Sequence, residues 1–483
     1  MEIAIDSSNT QKFTKPSDFT LAELASKSII ELLGKTKIQK AEIDGLIVSS
    51  SSNESYLGNI VSEMIGIKPK FSTKVENLCN SGTSGIMLAY SLIKSGLCNA
   101  VLVTGAEKQN SQGNKLTWDS SRGQYDMPIH WASLYAQNHF RKYGTTEEDL
   151  AIISLKNHAS ANKNINAFFY DKHFTYSSII NSKMIVEPLK KFDCCYPCEG
   201  SSSILVLSET MAKRTEVPIW IKGIAQDNQG ASFGSISNEL DSILSTRIAA
   251  RNAFEQSMLG PKNIDIVEIH DAFTILELLA YEDIGFVKKG QGRKFIEENT
   301  PYTNVRGGLL GCGHPIGATG IDQTNEIVLQ LQGKAGLRQK KGCKSGLVHN
   351  MAAAGTSTTV IILQKWRKMK LLDFIIKSAD KGTLITTYCF SCKIHIWPPN
   401  RYCNTCFKKT GFKKISRKGV LLEKSFSNLP DIKGYYGIGE FSGIRMIGSV
   451  DKSILPEDAI RISQVRVKDN KLDLEFSKFK RLK

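Results

Sequence analysis

The amino-acid sequence predicts an α/β protein that carries a second, smaller β-domain in its C-terminal part. Residues 1 to about 365 alternate short apolar runs with segments of helical periodicity, which is typical of strands buried between helices. After Trp366 the pattern changes to charged segments, closely spaced cysteines and short alternating strands. A chain of 483 residues is long enough for two or three domains.

The first part of the chain is predicted to consist of two similar halves. Segments Ala41–Val48 and Lys262–Ile269 share an apolar pattern, and each is followed by a glycine-rich turn, a helix and a further strand. The predicted helices are Thr20–Leu33, Ser81–Lys94 and Arg247–Gln256, and the predicted strands are Gly45–Val48, Ala100–Thr104, Pro218–Ile224 and Ile264–Ile269. The stretch from about 110 to 200 is less regular, and its Asn-, Ser- and Lys-rich part, Asn157–Asn166, predicts a loop.

The C-terminal part differs in charge as well as in pattern. The whole chain has a net charge of +16, and residues 366–483 hold 25 Lys and Arg against 11 Asp and Glu, a net of +14. Five short strands are predicted there: Val420–Phe426, Tyr435–Ile438, Gly443–Ser449, Ala459–Val467 and Lys471–Phe476. They predict a small β-barrel. Such a basic module attracts nucleic acid, an acidic protein surface or the phosphates of a nucleotide-like ligand.

Composition also sets expectations for location and for cysteine chemistry. The chain has no apolar run of about 18 residues, the length that a membrane span needs. Its first residues, MEIAIDSSNT, lack the pattern of a secretory signal, so a cytoplasmic enzyme is expected. In that setting the 11 cysteines favour metal binding or thiol chemistry over disulfides.

Four cysteines have the spacing of a metal site. They form two Cys-x-x-Cys pairs, Cys389 with Cys392 and Cys403 with Cys406, with ten residues between the pairs. Four thiolates at this spacing can surround one tetrahedral Zn²⁺ and complete its coordination. The sequence therefore predicts a structural zinc site.

Cys79 is the candidate nucleophile. It ends the run KVENLC and begins NSGTSG, so it is expected where a strand leads into the first turn of a helix. Free backbone N–H groups and the helix dipole favour a thiolate at such a position, which predicts a pKa below the usual value of about 8.5. Gly82 and Gly85 allow backbone to pack closely around the site.

Three histidines lie at predicted strand ends or turns, where α/β proteins place catalytic groups. His270 opens HDAF after the strand IDIVEI, His314 lies in GGLLGCGHPIGATG, and His349 lies near the end of SGLVHN. Together with a cysteine at a helix start, they indicate nucleophilic catalysis.

These blocks carry a family resemblance. LCNSG, HDAF, GGLLGCGHPIGATG and SGLVHNMAAAG resemble the four active-site blocks of the thiolase superfamily, in the same order, and are most similar to those of sterol-carrier-protein-like and archaeal acetoacetyl-CoA thiolases. The resemblance implies a five-layered αβαβα fold with halves at 1–240 and 241–365, and a loop domain at about 110–240 that covers the substrate. It also implies acyl-CoA substrates and a homo-oligomer, a dimer or tetramer.

The resemblance assigns roles by position. Cys79 would take the acyl group, and His314 would take the proton of Cys79 and help hold the thioester oxygen of the second substrate. His270 would position a water or another donor beside that oxygen. The backbone N–H groups of Cys79 and Met351 would form the other oxyanion site, each donor worth about 3 kcal/mol of transition-state stabilisation.

The chain departs from many thiolases at the second catalytic cysteine. The positions that carry it in the family hold His349 and Ala272 here, in a pattern that resembles the Cys-His-His arrangement of archaeal acetoacetyl-CoA thiolases. This implies His349 as the base that removes the α-proton. Cys312 could reach the site instead. The CCYPC cluster at 194–198 has no second pair of ligands nearby and is predicted to be a loop that enters a strand.

Residues 366–483 resemble the zinc-ribbon and OB-fold module that accompanies thiolase-like proteins. As a separate archaeal chain, that module bridges thiolase and hydroxymethylglutaryl-CoA synthase, so this synthase or another acyl-CoA enzyme is the expected partner. The whole chain predicts a reversible acetyl-CoA C-acetyltransferase with CoA as substrate and product and Zn²⁺ as a structural ion.

Two alternatives stay open at this point. A thiolase-fold aldolase or lyase acting on a branched or steroid-like acyl-CoA also pairs with such modules, although those enzymes typically lack the nucleophilic cysteine. A nucleic-acid-binding OB-fold protein fits the basic C-terminal part. It leaves the four thiolase-like blocks unexplained, so nucleic acid is not the expected partner.

Overall fold

The computed structural model of the protein describes residues 2–109, 115–233, 239–298, 302–365, 375–376, 378–379, 382–430, 432–468 and 471–479. The chain divides into two compact units, Met1–Arg367 and Lys368–Lys483. Each unit has its own hydrophobic core.

The first unit is built on a ten-stranded sheet. In chain order its strands are β1 (Ile3–Thr10), β2 (Gly45–Ser49), β3 (Phe71–Val75), β4 (Ala100–Glu107), β7 (Gly200–Ser208), β8 (Ile219–Asn228), β9 (Ile266–Glu268), β10 (Tyr302–Thr303), β11 (Ser345–Ala352) and β12 (Ser357–Gln364). The short strands β5 (Met184–Val186) and β6 (Leu189–Lys190) form a separate hairpin.

The sheet repeats one topology twice. The first half has the order β3-β2-β4-β7-β1 and the second half the order β10-β9-β11-β12-β8. In each half the first three strands of this order are parallel to one another. The fourth strand is antiparallel to the third, and the fifth is antiparallel to the fourth. The halves meet where Ala4 and Ile5 of β1 pair with Trp220 and Ile219 of β8. The predicted similarity of the two halves is therefore confirmed.

Helices cover both faces of the two half-sheets. The first unit contains α1 (Leu21–Leu33), α2 (Leu57–Ile65), α3 (Ser81–Lys94), α4 (Pro128–Tyr143), α5 (Glu147–Ala161), α6 (Tyr176–Ile180), α7 (Glu209–Ala212), α8 (Leu244–Ser257), α9 (Thr274–Asp283), α10 (Gly292–Glu298), α11 (Gly308–Cys312) and α12 (Ile316–Gln332). Helices α3 and α12 pack between the half-sheets, α1 and α2 cover the first half-sheet outside, and α8 and α9 cover the second. This is the predicted five-layered αβαβα arrangement.

Two expectations about the region between the halves were wrong. Asn157–Ala161 forms the last residues of α5 rather than a loop, because the Asn157 amide is buried and donates to Asp271 Oδ2 at 2.7 Å and to Glu277 Oε2 at 2.6 Å. The loop region was also drawn too long, since β7 and β8 belong to the central sheet.

The second unit contains a small sheet and a closed barrel. The small sheet has the order β14-β13-β15, formed by β13 (Ile385–Cys389), β14 (Ile394–Ile396) and β15 (Gly411–Lys414). The barrel consists of β16 (Lys418–Leu429), β17 (Ile432–Phe441), β18 (Ile444–Val450), β19 (Ala459–Lys468) and β20 (Lys471–Lys478) in the order β16-β17-β18-β20-β19. Strands β18 and β20 pair in parallel, and Leu421, Phe441 and Phe476 are buried inside. The predicted five-stranded barrel is confirmed.

Candidate active site

Cys79 lies on a sharp turn between β3 and α3. The residue before it, Leu78, has a φ of +46°, a left-handed conformation that a branched side chain adopts only when its surroundings hold it. Leu78 N donates to Glu76 Oε1 at 2.7 Å, while Ser81 Oγ donates to Leu78 O at 2.6 Å and accepts from Asn77 N at 2.7 Å. The turn is thus fixed on both sides of the thiol.

His314 faces the Cys79 thiol. Its Nε2 lies 3.1 Å from Cys79 Sγ, and its Nδ1 lies 2.8 Å from Thr319 Oγ1, one turn into α12. When Nδ1 carries the proton and donates to Thr319, Nε2 has a free lone pair directed at the thiol. The pair can then move a proton from sulfur to nitrogen, as nucleophilic catalysis requires.

Asp271 holds the glycine-rich turn that carries His314. Its carboxylate accepts from Leu309 N at 2.6 Å, at the start of α11. Gly308 has a φ of +60°, and a Cβ at this position would lie 2.1 Å from Asp271 Oδ2, so only glycine fits. The HDAF block therefore positions the GGLLGCGHP block.

Burial determines the ionisation of the Cys79–His314 pair. Desolvation, and to a smaller extent the charge of Glu107, raises the pKa of Cys79 to about 12. Desolvation, followed by the charge of Arg306, lowers the pKa of His314 to about 3. The expectation that the helix start lowers the thiol pKa was wrong, because burial outweighs the backbone contribution. Both groups are neutral at pH 7, so the thiolate forms only as its proton passes to His314.

His270 completes a three-residue group. The Cys79 sulfur and the nearest ring nitrogens of His270 and His314 all lie within 4.8 Å of one another, and the two imidazole rings are perpendicular. Asn350 Nδ2 donates to His270 Nδ1 at 2.9 Å and to Gln323 Oε1 at 2.9 Å. Because His270 Nδ1 accepts this bond, its Nε2 carries the ring proton and is a donor.

His349, which the sequence predicts to be the base that removes the α-proton, does not join this group. It is fully buried in β11, with Nε2 3.0 Å from Thr246 Oγ1 of α8 and Nδ1 accepting from His270 N at 3.4 Å. Successive residues of a strand point to opposite faces, so Asn350 faces His270 while His349 faces α8. His349 is not among the residues that line the cavity around Cys79.

The thiol and both imidazoles open into an apolar cavity of about 370 Å³. Much of its wall comes from the region between the two halves and from the HDAF turn: Leu116, Met127, Trp131, Phe169, Phe192 and Phe273. Met351 and Ala353, just after His349, also line it. The cavity can enclose the apolar part of a substrate and exclude water from the thiol.

The cysteines of the GGLLGCGHP and CCYPC blocks separate into two groups. Cys312 donates to Arg306 O at 3.0 Å and is buried in an apolar cluster with Cys198, away from the cavity. Cys194 and Cys195 line the cavity near Cys79. In the sequence these two cysteines resemble only part of a metal site, although they lie shortly before a buried strand.

The four C-terminal cysteines lie together in the second unit. All their sulfur atoms lie within 4.8 Å of one another, with Cys389 Sγ 3.5 Å from Cys406 Sγ and Cys392 Sγ 3.9 Å from Cys403 Sγ. None forms a disulfide. Four converging thiols fit a tetrahedral metal ion that prefers sulfur ligands.

The Cys79–His314 contact has the geometry that group transfer through a covalent cysteine intermediate requires. Residues 4–203 match the family model "Thiolase, N-terminal domain" and residues 229–365 match "Thiolase C-terminal domain-like". The chain belongs to the thiolase family and is an acyltransferase that acts on acyl-CoA.

Curated relatives agree with this assignment. The chain is 31% identical to an acetyl-CoA acetyltransferase of Methanothermobacter thermautotrophicus over 392 residues, which cover 75% of this chain and 100% of the relative. It is 30% identical to sterol carrier protein 2 of Rattus norvegicus over 366 residues, which cover 68% of this chain and 67% of that protein.

Solved structures share the fold. The Ltp2-ChsH2(DUF35) aldolase superimposes with a TM-score of 0.69 at 24% identity, covering 76% of this chain and 99% of that chain. Human mitochondrial 3-ketoacyl-CoA thiolase gives a TM-score of 0.59 at 17% identity, with 76% and 99% covered. In the described part of the chain, no helix combines the length and apolar character needed to span a membrane.

Proposed function

We propose that the protein is an acetyl-CoA C-acetyltransferase, which joins two acetyl-CoA molecules or cleaves acetoacetyl-CoA through an acyl-cysteine intermediate. The observation that carries this proposal is the 3.1 Å contact between Cys79 Sγ and His314 Nε2 at the wall of an apolar cavity. The likeness to archaeal acetyl-CoA acetyltransferases supports it.

In the first step Cys79 attacks the thioester carbonyl while His314 takes its proton. The neutral resting pair suits this order, because a buried thiolate without a cation beside it is costly and forms only together with the imidazolium. The backbone N–H groups of Cys79 and Met351 are proposed to hold the oxygen that becomes negative in this step.

In the second step the α-carbon of another acetyl-CoA attacks the acyl-cysteine. His270 Nε2–H and the protonated His314 are proposed to donate to the thioester oxygen of that molecule, which becomes enolate-like as the α-proton leaves. Fixing His270 through Asn350 and Gln323 keeps this donor in one tautomer.

The direct test compares acetyl-CoA, acetoacetyl-CoA and longer 3-ketoacyl-CoAs on one preparation of the full chain. We expect thiolysis of acetoacetyl-CoA and its abolition in Cys79→Ala. Cleavage of a carbon–carbon bond without added CoA, retained in Cys79→Ala, would instead identify an aldolase.

We propose a structural Zn²⁺ at the four clustered cysteines of the second unit. The barrel and its basic surface are proposed to attract the phosphates of CoA or a partner enzyme such as hydroxymethylglutaryl-CoA synthase. Binding of single-stranded DNA or RNA that persists at moderate salt would contradict this assignment, because purely electrostatic binding weakens steeply as salt rises.

A further inference from the structure

The second step of the proposed reaction needs a group that removes a proton from carbon, and His349 lies outside the cavity. His314 is engaged with Cys79 and Thr319, and His270 accepts from Asn350 at Nδ1. The α-proton base must therefore be another side chain of the cavity wall.

Most other titratable side chains of this wall are engaged elsewhere. His158 Nδ1 bonds to a backbone carbonyl at 2.9 Å and its ring is surrounded by three phenylalanines. Tyr196 stacks on Phe168 with ring centroids 4.3 Å apart, and Cys194 Sγ donates to Lys190 O at 3.4 Å. Lys191 is exposed at the surface.

Cys195 remains. Among the residues that the structure describes, its sulfur has no hydrogen-bond partner, and it lines the same cavity as Cys79. Its backbone N donates to Ala272 O at 2.9 Å, and Cys194 forms an isolated β-bridge with Phe273. These contacts attach the CCYPC loop to the HDAF turn, two residues from His270.

We propose that Cys195 is the catalytic acid and base that exchanges the proton on the α-carbon. This inference rests on the proposed function and deepens it. The Ala272 side chain cannot transfer a proton, whereas Cys195, whose backbone is bonded to Ala272 O, brings a thiol to the same cavity from a separate loop.

The protons balance in the condensation direction. As Cys79 attacks the first acetyl-CoA, its proton passes to His314, the C–S bond breaks, and the departing CoA sulfur takes the proton of Cys195. The Cys195 thiolate then removes the α-proton of the second acetyl-CoA. The resulting carbanion forms the new carbon–carbon bond, Cys79 leaves as a thiolate, and it recovers its proton from His314.

The environment of Cys195 suits this cycle. Burial, and then the neighbouring thiols of Cys194 and Cys79, raise the pKa of Cys195 well above its usual value. Its resting state is therefore the protonated donor that the departing CoA sulfur needs. A thiolate with a raised pKa is a stronger base toward a carbon acid.

The test uses the variants Cys195→Ala and the size-matched Cys195→Ser. It distinguishes transfer of the acetyl group to Cys79 from proton transfer at the α-carbon. Two rates are measured with the full chain: single-turnover acetylation of Cys79 by acetyl-CoA, and thiolysis of acetoacetyl-CoA. We expect acetylation to fall by less than about tenfold, because a thiolate can depart without a proton. Thiolysis should fall by about 10³-fold, within the range of a lost general acid or base.

Exchange of deuterium from solvent into the acetyl group of acetyl-CoA should also disappear in both variants. Cys98→Ala is the matched control, because this thiol is buried in the core of the first unit and does not line the cavity. Thiolysis within tenfold of the unmodified chain, or a parallel fall in both rates, would overturn the inference. Failure of the unmodified chain to acetylate Cys79 would refute the proposed function instead.

Discussion

Replacing Thr319 by valine should slow acylation of Cys79 without unfolding the protein. Thr319 Oγ1 lies 2.8 Å from His314 Nδ1, and this bond keeps the ring proton on Nδ1 so that Nε2 can accept from the thiol. Valine leaves a buried N–H without a partner, which costs about 1–3 kcal/mol and favours the opposite tautomer. Since 1.4 kcal/mol corresponds to a factor of ten, we expect acylation to slow about 10- to 100-fold.

The assay measures the release of CoA from acetyl-CoA in a single turnover. The released CoA is detected with a thiol reagent in a stopped-flow instrument. Thr324→Val is the matched control, because this buried threonine lies five residues further along α12 and donates only to Gly320 O at 2.7 Å. The control should keep the original rate. Equal rates for Thr319→Val and the unmodified chain, or equal losses in both variants, would refute the role assigned to Thr319.

Three further outcomes follow from the structure. Gly82→Ala should lower the free energy of unfolding by about 1–3 kcal/mol, because its Cβ would lie 2.9 Å from the backbone of α12. Gly34→Ala is the control and should change this free energy little, because the nearest atom to its Cβ is 3.5 Å away. Thermal melts measure both effects. His349→Gln should reduce acylation and thiolysis by the same factor of less than about tenfold; a selective loss of thiolysis, of about 10²-fold or more, would restore it as the base. Cys403→Ser should reduce the zinc content, measured by atomic emission, from about one ion per chain to well below one; unchanged metal content would contradict the four-cysteine site.

Much of the fold could be predicted because its signals are local. The helix Ser81–Lys94 and the strand beginning at Ala100 were predicted from apolar periodicity and found at those positions. Asn157–Ala161 was misread, because Asn157 pairs with buried carboxylates that come from distant α9 and the HDAF turn. No local pattern reveals that kind of pairing.

Several residues of the site could be predicted from the sequence, but the direction of their pKa shifts could not. The motifs predicted that Cys79 and His314 belong to one site. The direction of the pKa shift of Cys79 could not be predicted, because it depends on how far folding removes the thiol from water. The face to which His349 points depends on the register of β11 against β12, which one sequence does not determine. Cys195 could be recognised only once the CCYPC loop was seen to meet the HDAF turn.

The central claim is that Cys79 carries the acyl group. The full chain is incubated with acetyl-CoA labelled in the acetyl group, quenched in acid and digested, and the label is located by peptide mass spectrometry. We predict a hydroxylamine-sensitive acetyl group on the peptide that contains Cys79, its removal by added CoA, and its absence in Cys79→Ala. Label that stays absent from Cys79 while acetoacetyl-CoA is still cleaved would contradict the account.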